Sequence, residues 1–435
     1  LAEGKIVSFS VFKLPVYLME YFLITTILVC LASVFGFINV KFLKLPNSIG
    51  LMLITIVFSL IVLGISAFDD TLLNAEKEII TSIDFQTVLL DVMLSFLLFA
   101  GALHTNFEQL RIQRWPVLVF STIGVLVSTF LVGTAMFFIL QLVSIQVDYI
   151  YCLLFGALIS PTDPIAVLGI LKKAGAPKRL EAKIVGESLF NDGVGVVIFL
   201  TIYKIASSSS GEVEISQIME LFAMEVIGGL AIGVILGYLT YRLMKSIDDY
   251  DIEVIITLAA VMGGTAVAHH YHFSAPLAMV TAGLIVGNDT VRSTTMSEIT
   301  EAYVDKFWEL IDILLNTILF VLIGMEMLVL IFEENYILTG LLAIPIVLIC
   351  RYASLLVPIQ FFQRKLNFVP NTNLIMTWGG LRGGISIALA LSLTAEMHRE
   401  LFLVVTYFIV VFSILVQGLS VGKVIEKLGV NKQES

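Results

Sequence analysis

Charge is scarce in this chain. Asp, Glu, Lys and Arg make up 14% of its 435 residues against 58% hydrophobic ones, and the mean hydropathy is +0.99. A soluble domain of that length needs far more polar surface, so the scarcity excludes one and points to a polytopic membrane protein. Cysteine is nearly absent as well. Cys30, Cys152 and Cys350 lie in apolar runs with no CxxC spacing, which excludes a disulfide framework or thiolate metal cluster and leaves them as packing residues. No GxxxxGK[ST] sequence occurs, so direct ATP drive is not expected, and neither nucleotide nor nucleic acid is expected as a partner. The first fifteen residues lack the basic, apolar, small-residue order of a cleavable signal. A start at Leu1 leads us to expect the loss of an initiator or a few upstream residues. The short stretch after Lys423 is expected to hold no soluble regulatory domain.

What the chain has in abundance is apolar runs. A helix needs about 20 mostly apolar residues to cross the bilayer core. By that measure spans fall near 17–40, 47–67, 85–104, 115–142, 149–171, 181–205, 217–244, 251–270, 274–288, 306–332, 337–362, 371–395 and 401–422. That is an all-α protein of thirteen spans; the ninth is short and only LKLPN separates the first two, so twelve is the alternative. The net charge of −10 says less than the location of each charge. With Arg351 and Arg382 inside spans, the remaining basic residues divide eighteen to five when the N-terminus is placed outside. Lys and Arg accumulate in cytoplasmic loops, so the N-terminus is expected outside and the C-terminus in the cytoplasm.

Two spans are interrupted. The fifth contains SPTDP (Ser160 to Pro164), whose prolines remove backbone donors and bias the residues before them away from helix. The twelfth contains WGGLRGG (Trp378 to Gly384), four glycines and a charge at mid-span. Interrupted spans in corresponding positions are the best sequence pointer to a secondary transporter's binding site. Five and twelve are seven apart, so the two run in opposite directions. This arrangement fits two inverted six-helix repeats joined by a linking seventh span, with broken helices 5 and 12 crossing near mid-membrane.

The sixth span carries GESLFND, where Glu187, Ser188, Asn191 and Asp192 fall within an arc of about 140° on a helix. Ionisable residues at membrane depth are costly and mark ion paths or proton relays; the bland alternative is a buried network that only fixes packing. Carboxylate and hydroxyl oxygens, with main-chain carbonyls released where a helix unwinds, are hard ligands for a small hard cation. The break at SPTDP would supply such carbonyls around Thr162 and a second carboxylate, Asp163. Burial disfavours the charged form of a carboxyl group, so a proton and a cation can compete for one carboxylate, and that competition is an exchange mechanism. Arg382 needs an acidic partner, and Glu187 is the expected one, leaving Asp192 to titrate.

SPTDPIAV followed by GESLFNDGVGVVIF closely resembles the sodium/proton antiporters of the NhaP and eukaryotic sodium/proton exchanger group. FVLIGMEM (Phe320 to Met327) and WGGLRGGISIALAL (Trp378 to Leu391) fit the same family, over nearly the whole membrane chain. The resemblance implies a homodimer whose core domains slide against interface domains like an elevator. On this map residues 1–112 and 251–335 form the interface domain, 113–206 and 336–435 the core, and 207–250 the linking helix. It implies that Na+, or Li+ or K+ in its place, is held at Thr162 (main chain), Asp163, Ser188 and Asp192, with Glu187 near through water, and that no cofactor is required. It also implies that Asn191 holds the unwound segment and that Glu187 and Arg382 pair. Electrogenic relatives have Asp-Asp where this chain has Asn191-Asp192, so electroneutral exchange of one cation for one proton is expected, serving intracellular pH and sodium homeostasis. Many relatives carry an acidic residue in the third span where this chain reads Phe99-Ala100-Gly101, which removes any role assigned to that residue. A prokaryotic inner membrane is the expected location.

Other charges within spans are Asp91, Glu225, Glu253, Asp312, Glu326 and Arg351; Glu326 and Arg351 read as structural partners within or between helices. HHYH (His269 to His272), in an expected outside loop, has titratable metal-binding groups but no further ligands, and SSSSGE (Ser207 to Glu212) reads as a flexible loop. KKAGAPKRLEAK (Lys172 to Lys183) is basic enough to touch anionic lipid headgroups, although inside-positive topology accounts for it. An intramembrane aspartyl protease using Asp163 and Asp192 is the main rival; it leaves Arg382, the second break and the repeat unexplained, and no GxGD motif occurs. A passive cation channel is disfavoured because a buried titratable cluster binds too selectively for rapid conduction.

Overall fold

Runs of Leu, Ile, Val, Phe and Ala broken only by Gly, Pro and polar turns satisfy their backbone inside lipid by closing hydrogen bonds within each segment, which for a single segment means a helix. The computed structural model describes residues 14–66, 87–163, 167, 169, 171, 175–207, 215–330, 332–364, 366 and 368–428. Its main helices are α1 (Leu14–Ile38), α2 (Asn47–Ser66), α3 (Thr87–Leu103), α4 (Arg114–Leu142), α5 (Tyr149–Ile159), α6 (Lys178–Ser207) and α7 (Ile215–Met244). They continue as α8 (Tyr250–His270), α9 (Ala275–Val286), α10 (Glu298–Glu326), α11 (Glu334–Gln363), α12a (Thr372–Gly379), α12b (Gly384–Leu391) and α13 (Arg399–Lys427). Each expected span holds one of these helices or, for the twelfth, a broken pair; of the fifth, the described helix covers Tyr149–Ile159, and residues 164–166, 168 and 170 lie outside the described residues. Among the described residues nine helices are long and apolar enough to cross a membrane. The protein is a multi-pass membrane protein.

The departures from the expected spans have local causes. α9 has 12 residues, about 18 Å of helix, too short to cross alone. Ser274 caps its start by accepting from Leu277 N, and Gly287 ends it. α10 begins at Glu298, eight residues before the expected 306, because Ser297 caps it by accepting from Thr300 N and its first turns are polar rather than apolar. His269 and His270 belong to the last turn of α8 rather than to a loop, and His272 follows with φ 57°. Lys183, grouped by sequence with the basic loop, is buried with its Nζ 3.5 Å from the centroid of the Phe368 ring, a cation–π contact in place of water. Residues 208–214, most of SSSSGE, lie outside the described residues, as does the side chain of Asp91.

α9 is wedged between α3 and α7. Trp308 of α10 packs against Phe99 of α3 with ring centroids 4.7 Å apart and planes tilted by 52°, and it donates from Nε1 to Thr257 Oγ1 of α8 at 3.0 Å. Below them Arg292, on a short helix after α9, reaches the Leu103 carbonyl at 2.9 Å, Glu301 at 3.1 Å and both oxygens of Asp305. Burial pulls this guanidinium's pKa down, but the Asp305 and Glu301 carboxylates outweigh it and hold the value above the ordinary one. α4 packs on α5, α6 and α11, and α13 on α11 and α12b. Ile235 of α7 and Val357 of α11 are among the apolar side chains left on the outer surface, where lipid covers them.

Candidate ion-binding site

α5 stops at Ile159 and the chain runs extended through Thr162 and Asp163. Pro161 has no N–H to give, and Ser160 turns its hydroxyl back to the Gly156 carbonyl at 2.6 Å. In the twelfth span the glycines do the same work by other means. α12a ends at Gly379, and Gly380 (φ −78°, ψ 73°) makes an inverse γ-turn closed by Leu381 N donating to Gly379 O at 3.0 Å. The two unwound segments then pair, with Asp163 N donating to Leu381 O at 2.8 Å in an isolated antiparallel bridge. Gly383 must lack a side chain here, because a Cβ would lie 2.7 Å from Asp163 Oδ2 and 2.9 Å from its Cβ.

α6 supports this crossing from one side. Asn191 clamps Thr162 twice: its Oδ1 accepts from Thr162 N at 3.4 Å, and its Nδ2 donates to Thr162 Oγ1 at 2.8 Å. Ser188 donates to the Thr162 carbonyl and lies 3.3 Å from its hydroxyl. One turn on, Asp192 shares a cavity of about 60 Å³ with Thr162, Asp163, Asn316 and Ser386. Leu94, Leu97 and Leu98 of α3 wall it off. Asp192 is buried, and its Oδ1 has no hydrogen-bond partner among the described residues; nor has Ser386 Oγ. These are hard oxygen donors at membrane depth, able to take a small cation or a proton.

Thr162, Asp163, Ser188, Asn191 and Asp192 are thus gathered at one crossing. Glu187 and Arg382 are not partnered as expected. Glu187 is met by Arg351 of α11, Nη2 to Oε1 at 2.5 Å. Arg382 instead donates from Nη1 to the Pro161 carbonyl at 3.2 Å, and its backbone N–H donates to Ser413 Oγ at 2.8 Å. The cause is geometric: α11 brings its cation onto Glu187, whereas Arg382 lies in the break and reaches a carbonyl left by helix unwinding. Arg351, read from sequence as a structural partner, is that partner, to Glu187.

A family model described as "Sodium/hydrogen exchanger, transmembrane" matches residues 26–427. The chain belongs to the sodium/hydrogen exchanger family. It is 48% identical over 405 residues to the Na(+)/H(+) antiporter NhaP of Pseudomonas aeruginosa, covering 92% of this chain and 95% of that one. It is 34% identical to the Na(+)/H(+) antiporter NhaH of Halobacillus dabanensis, over 89% and 93% of the two. The solved sodium proton antiporter MjNhaP1 from Methanocaldococcus jannaschii at pH 8 superposes with a TM-score of 0.73 over 95% of this chain and 99% of that one, at 19% identity, a likeness of fold.

Sequence reasoning passed over Ser413, Gln417 and Leu381, which brace this exchanger-family site, and Asn316, which lines the wall of its cavity. Ser413 and Gln417 sit in a π-helical turn of α13, Ser413–Gln417, a distortion frequent at functional sites. They hold both sides of the second break, since Gln417 Nε2 donates to the Trp378 carbonyl at 3.0 Å. Two polar residues four apart in an apolar helix were the available signal. Leu381 offers its backbone alone, which no side-chain pattern reveals. Ala100 is buried in the packing around Trp308, while its neighbour Gly101 lines the cavity.

Proposed function

We propose that this protein is a secondary active transporter, not an enzyme, that exchanges Na+, or Li+ in its place, for H+ across the membrane. What carries the reading is two carboxylates, Asp163 and Asp192, lining one cavity at the meeting of two unwound helices, with an unpartnered buried oxygen on Asp192. The family and the names of its relatives agree with it. The cation binds Asp163, Asp192, Ser188 and the Thr162 main chain, and a proton competes for Asp192. The loaded site crosses with either; the empty, charged site does not. Asn191 stands beside Asp192 as a neutral amide, so one titrating carboxylate exchanges one cation for one proton and moves no net charge. Glu187 supports the site through Arg351, and Arg382 steadies the broken segments.

Transport is elevator-like: 113–206 with 336–435 is the moving core, 1–112 with 251–335 is the interface through which two copies form a homodimer, and 207–250 links them. The inner membrane of a prokaryote, with the N-terminus outside and the C-terminus in the cytoplasm, is the location in keeping with the charge bias. The role is pH and sodium homeostasis.

Purified protein in liposomes under an imposed pH gradient, with a pH-sensitive dye, tests this. Addition of Na+, Li+ or K+ names the ion. Dequenching should be cation-dependent, equal at every clamped voltage and absent in Asp192→Asn. Turnover that depends on voltage at a fixed pH gradient would refute electroneutrality; no response to any cation from folded protein would refute antiport.

A further inference from the structure

Asn316 of α10 belongs to two cavities at once. On one side it lines the central cavity with Thr162, Asp163 and Asp192. On the other it lines a larger cavity of about 320 Å³, whose walls include Pro46, Asn47 and Ser48 at the turn into α2, Gly169, and Asp312. That turn follows Lys41 and Lys44, on the face that the charge bias puts in the cytoplasm.

Asp312 sits one turn before Asn316 on the same face of α10. Its Oδ1 accepts from Asn316 Nδ2 at 3.0 Å, and its backbone carbonyl accepts from the same nitrogen at 2.9 Å. With the amide nitrogen committed twice, the amide oxygen is left over. Asn316 is only 6% exposed, and its Oδ1 has no hydrogen-bond partner among the described residues. A buried acceptor without a donor is costly. Asp312 has no ion pair among the described residues, and it is close enough to Asp163 for the two charges to interact. A carboxylate at membrane depth with no fixed counter-ion is expensive unless it faces an aqueous cavity and draws mobile cations. A carboxylate facing the outer cavity, followed by an amide oxygen at the junction with the inner one, is a graded pair of hard ligands. The first concentrates hydrated cations; the second replaces part of the hydration shell before the carboxylates of the central site are reached.

We propose that Asp312 and Asn316 form an antechamber that gathers the transported monovalent cation from the outer cavity and passes it to Asp163 and Asp192. The proposal rests on the antiport reading. Neither residue holds the ion during transport; both are positioning residues on its path, so they set how much cation a given turnover needs, not the turnover itself.

The test is dye-monitored exchange in liposomes over a range of Na+ concentrations, for wild type, Asp312→Asn, Asp312→Glu and Asn316→Ala. Asp312→Asn should raise the half-saturating Na+ concentration about three- to tenfold, the order expected for losing one partly screened charge, with the maximal rate kept. Asp312→Glu should return most of that loss. Asn316→Ala, which leaves the Asp312 charge in place, should raise the half-saturating concentration by a smaller factor and stands as the second variant should Asp312→Asn not fold. A half-saturating concentration unchanged in Asp312→Asn, or in Asn316→Ala where that alone folds, overturns the antechamber; so does a lower maximal rate at unchanged half-saturation. Silence of the wild type overturns the antiport reading itself, and the antechamber with it.

Discussion

At the residue scale, the Glu187–Arg351 pair is the strictest dependency. Both side chains are buried, and the Arg351 nitrogens have no hydrogen-bond acceptor among the described residues beyond this ion contact. Removing one member of a buried pair strands the other's charge, at about 3–5 kcal/mol, whereas replacing both by groups of similar volume is often neutral. Glu187→Gln should therefore lower unfolding stability in detergent by roughly that 3–5 kcal/mol, and adding Arg351→Met should recover most of it. A double variant no more stable than Glu187→Gln would show that Arg351 is held by something else. Sequence gave the need for a countercharge but not its owner. Arg382 and Arg351 are equally cationic on paper, and only the placement of α11 against α6 decides between them.

At the element scale, the two breaks depend on each other. α5 opens because of Pro161, α12a and α12b separate because of glycine, and the Asp163–Leu381 bridge joins the loose ends. Gly383→Ala pushes a Cβ to within 2.9 Å of the Asp163 Cβ, whereas Gly384→Ala meets only the flexible end of Leu319, at 2.6 Å from a Cδ. The expectation is a contrast between neighbours: Gly383→Ala loses exchange activity and about 1–3 kcal/mol, while Gly384→Ala keeps most activity. Equal behaviour of the two in the liposome assay, with melting curves run alongside, would mean that the close approach at Gly383 does not matter. Both breaks were legible from SPTDP and WGGLRGG, because Pro and Gly act on their own backbone. The braces from Ser413 and Gln417 were not, because a hydroxyl or amide in an apolar helix does not reveal its partner.

At the scale of the whole molecule, the division of basic residues fixes a testable orientation. In a background with Cys30, Cys152 and Cys350 replaced by alanine, Gln146→Cys, in the exposed turn after α4, should react with a membrane-impermeant maleimide on intact cells. Arg111→Cys, exposed between α3 and α4, should react only after permeabilisation. The opposite pattern would invert the topology and put the outer cavity beside Asp312 on the external face.

The sequence by itself determined the all-helical membrane class, the helices and their order, the sites of both breaks, and the polar residues of α6. These depend on hydropathy, on backbone chemistry and on spacing along a single helix, all of them local. Tertiary structure alone decided that Arg351 and not Arg382 meets Glu187, that the Leu381 carbonyl receives the Asp163 N–H, and that Asn316 stands between two cavities. Each is a relation between helices far apart in the chain, set by how their surfaces pack, and a charge or amide in one helix carries no record of which neighbour will reach it.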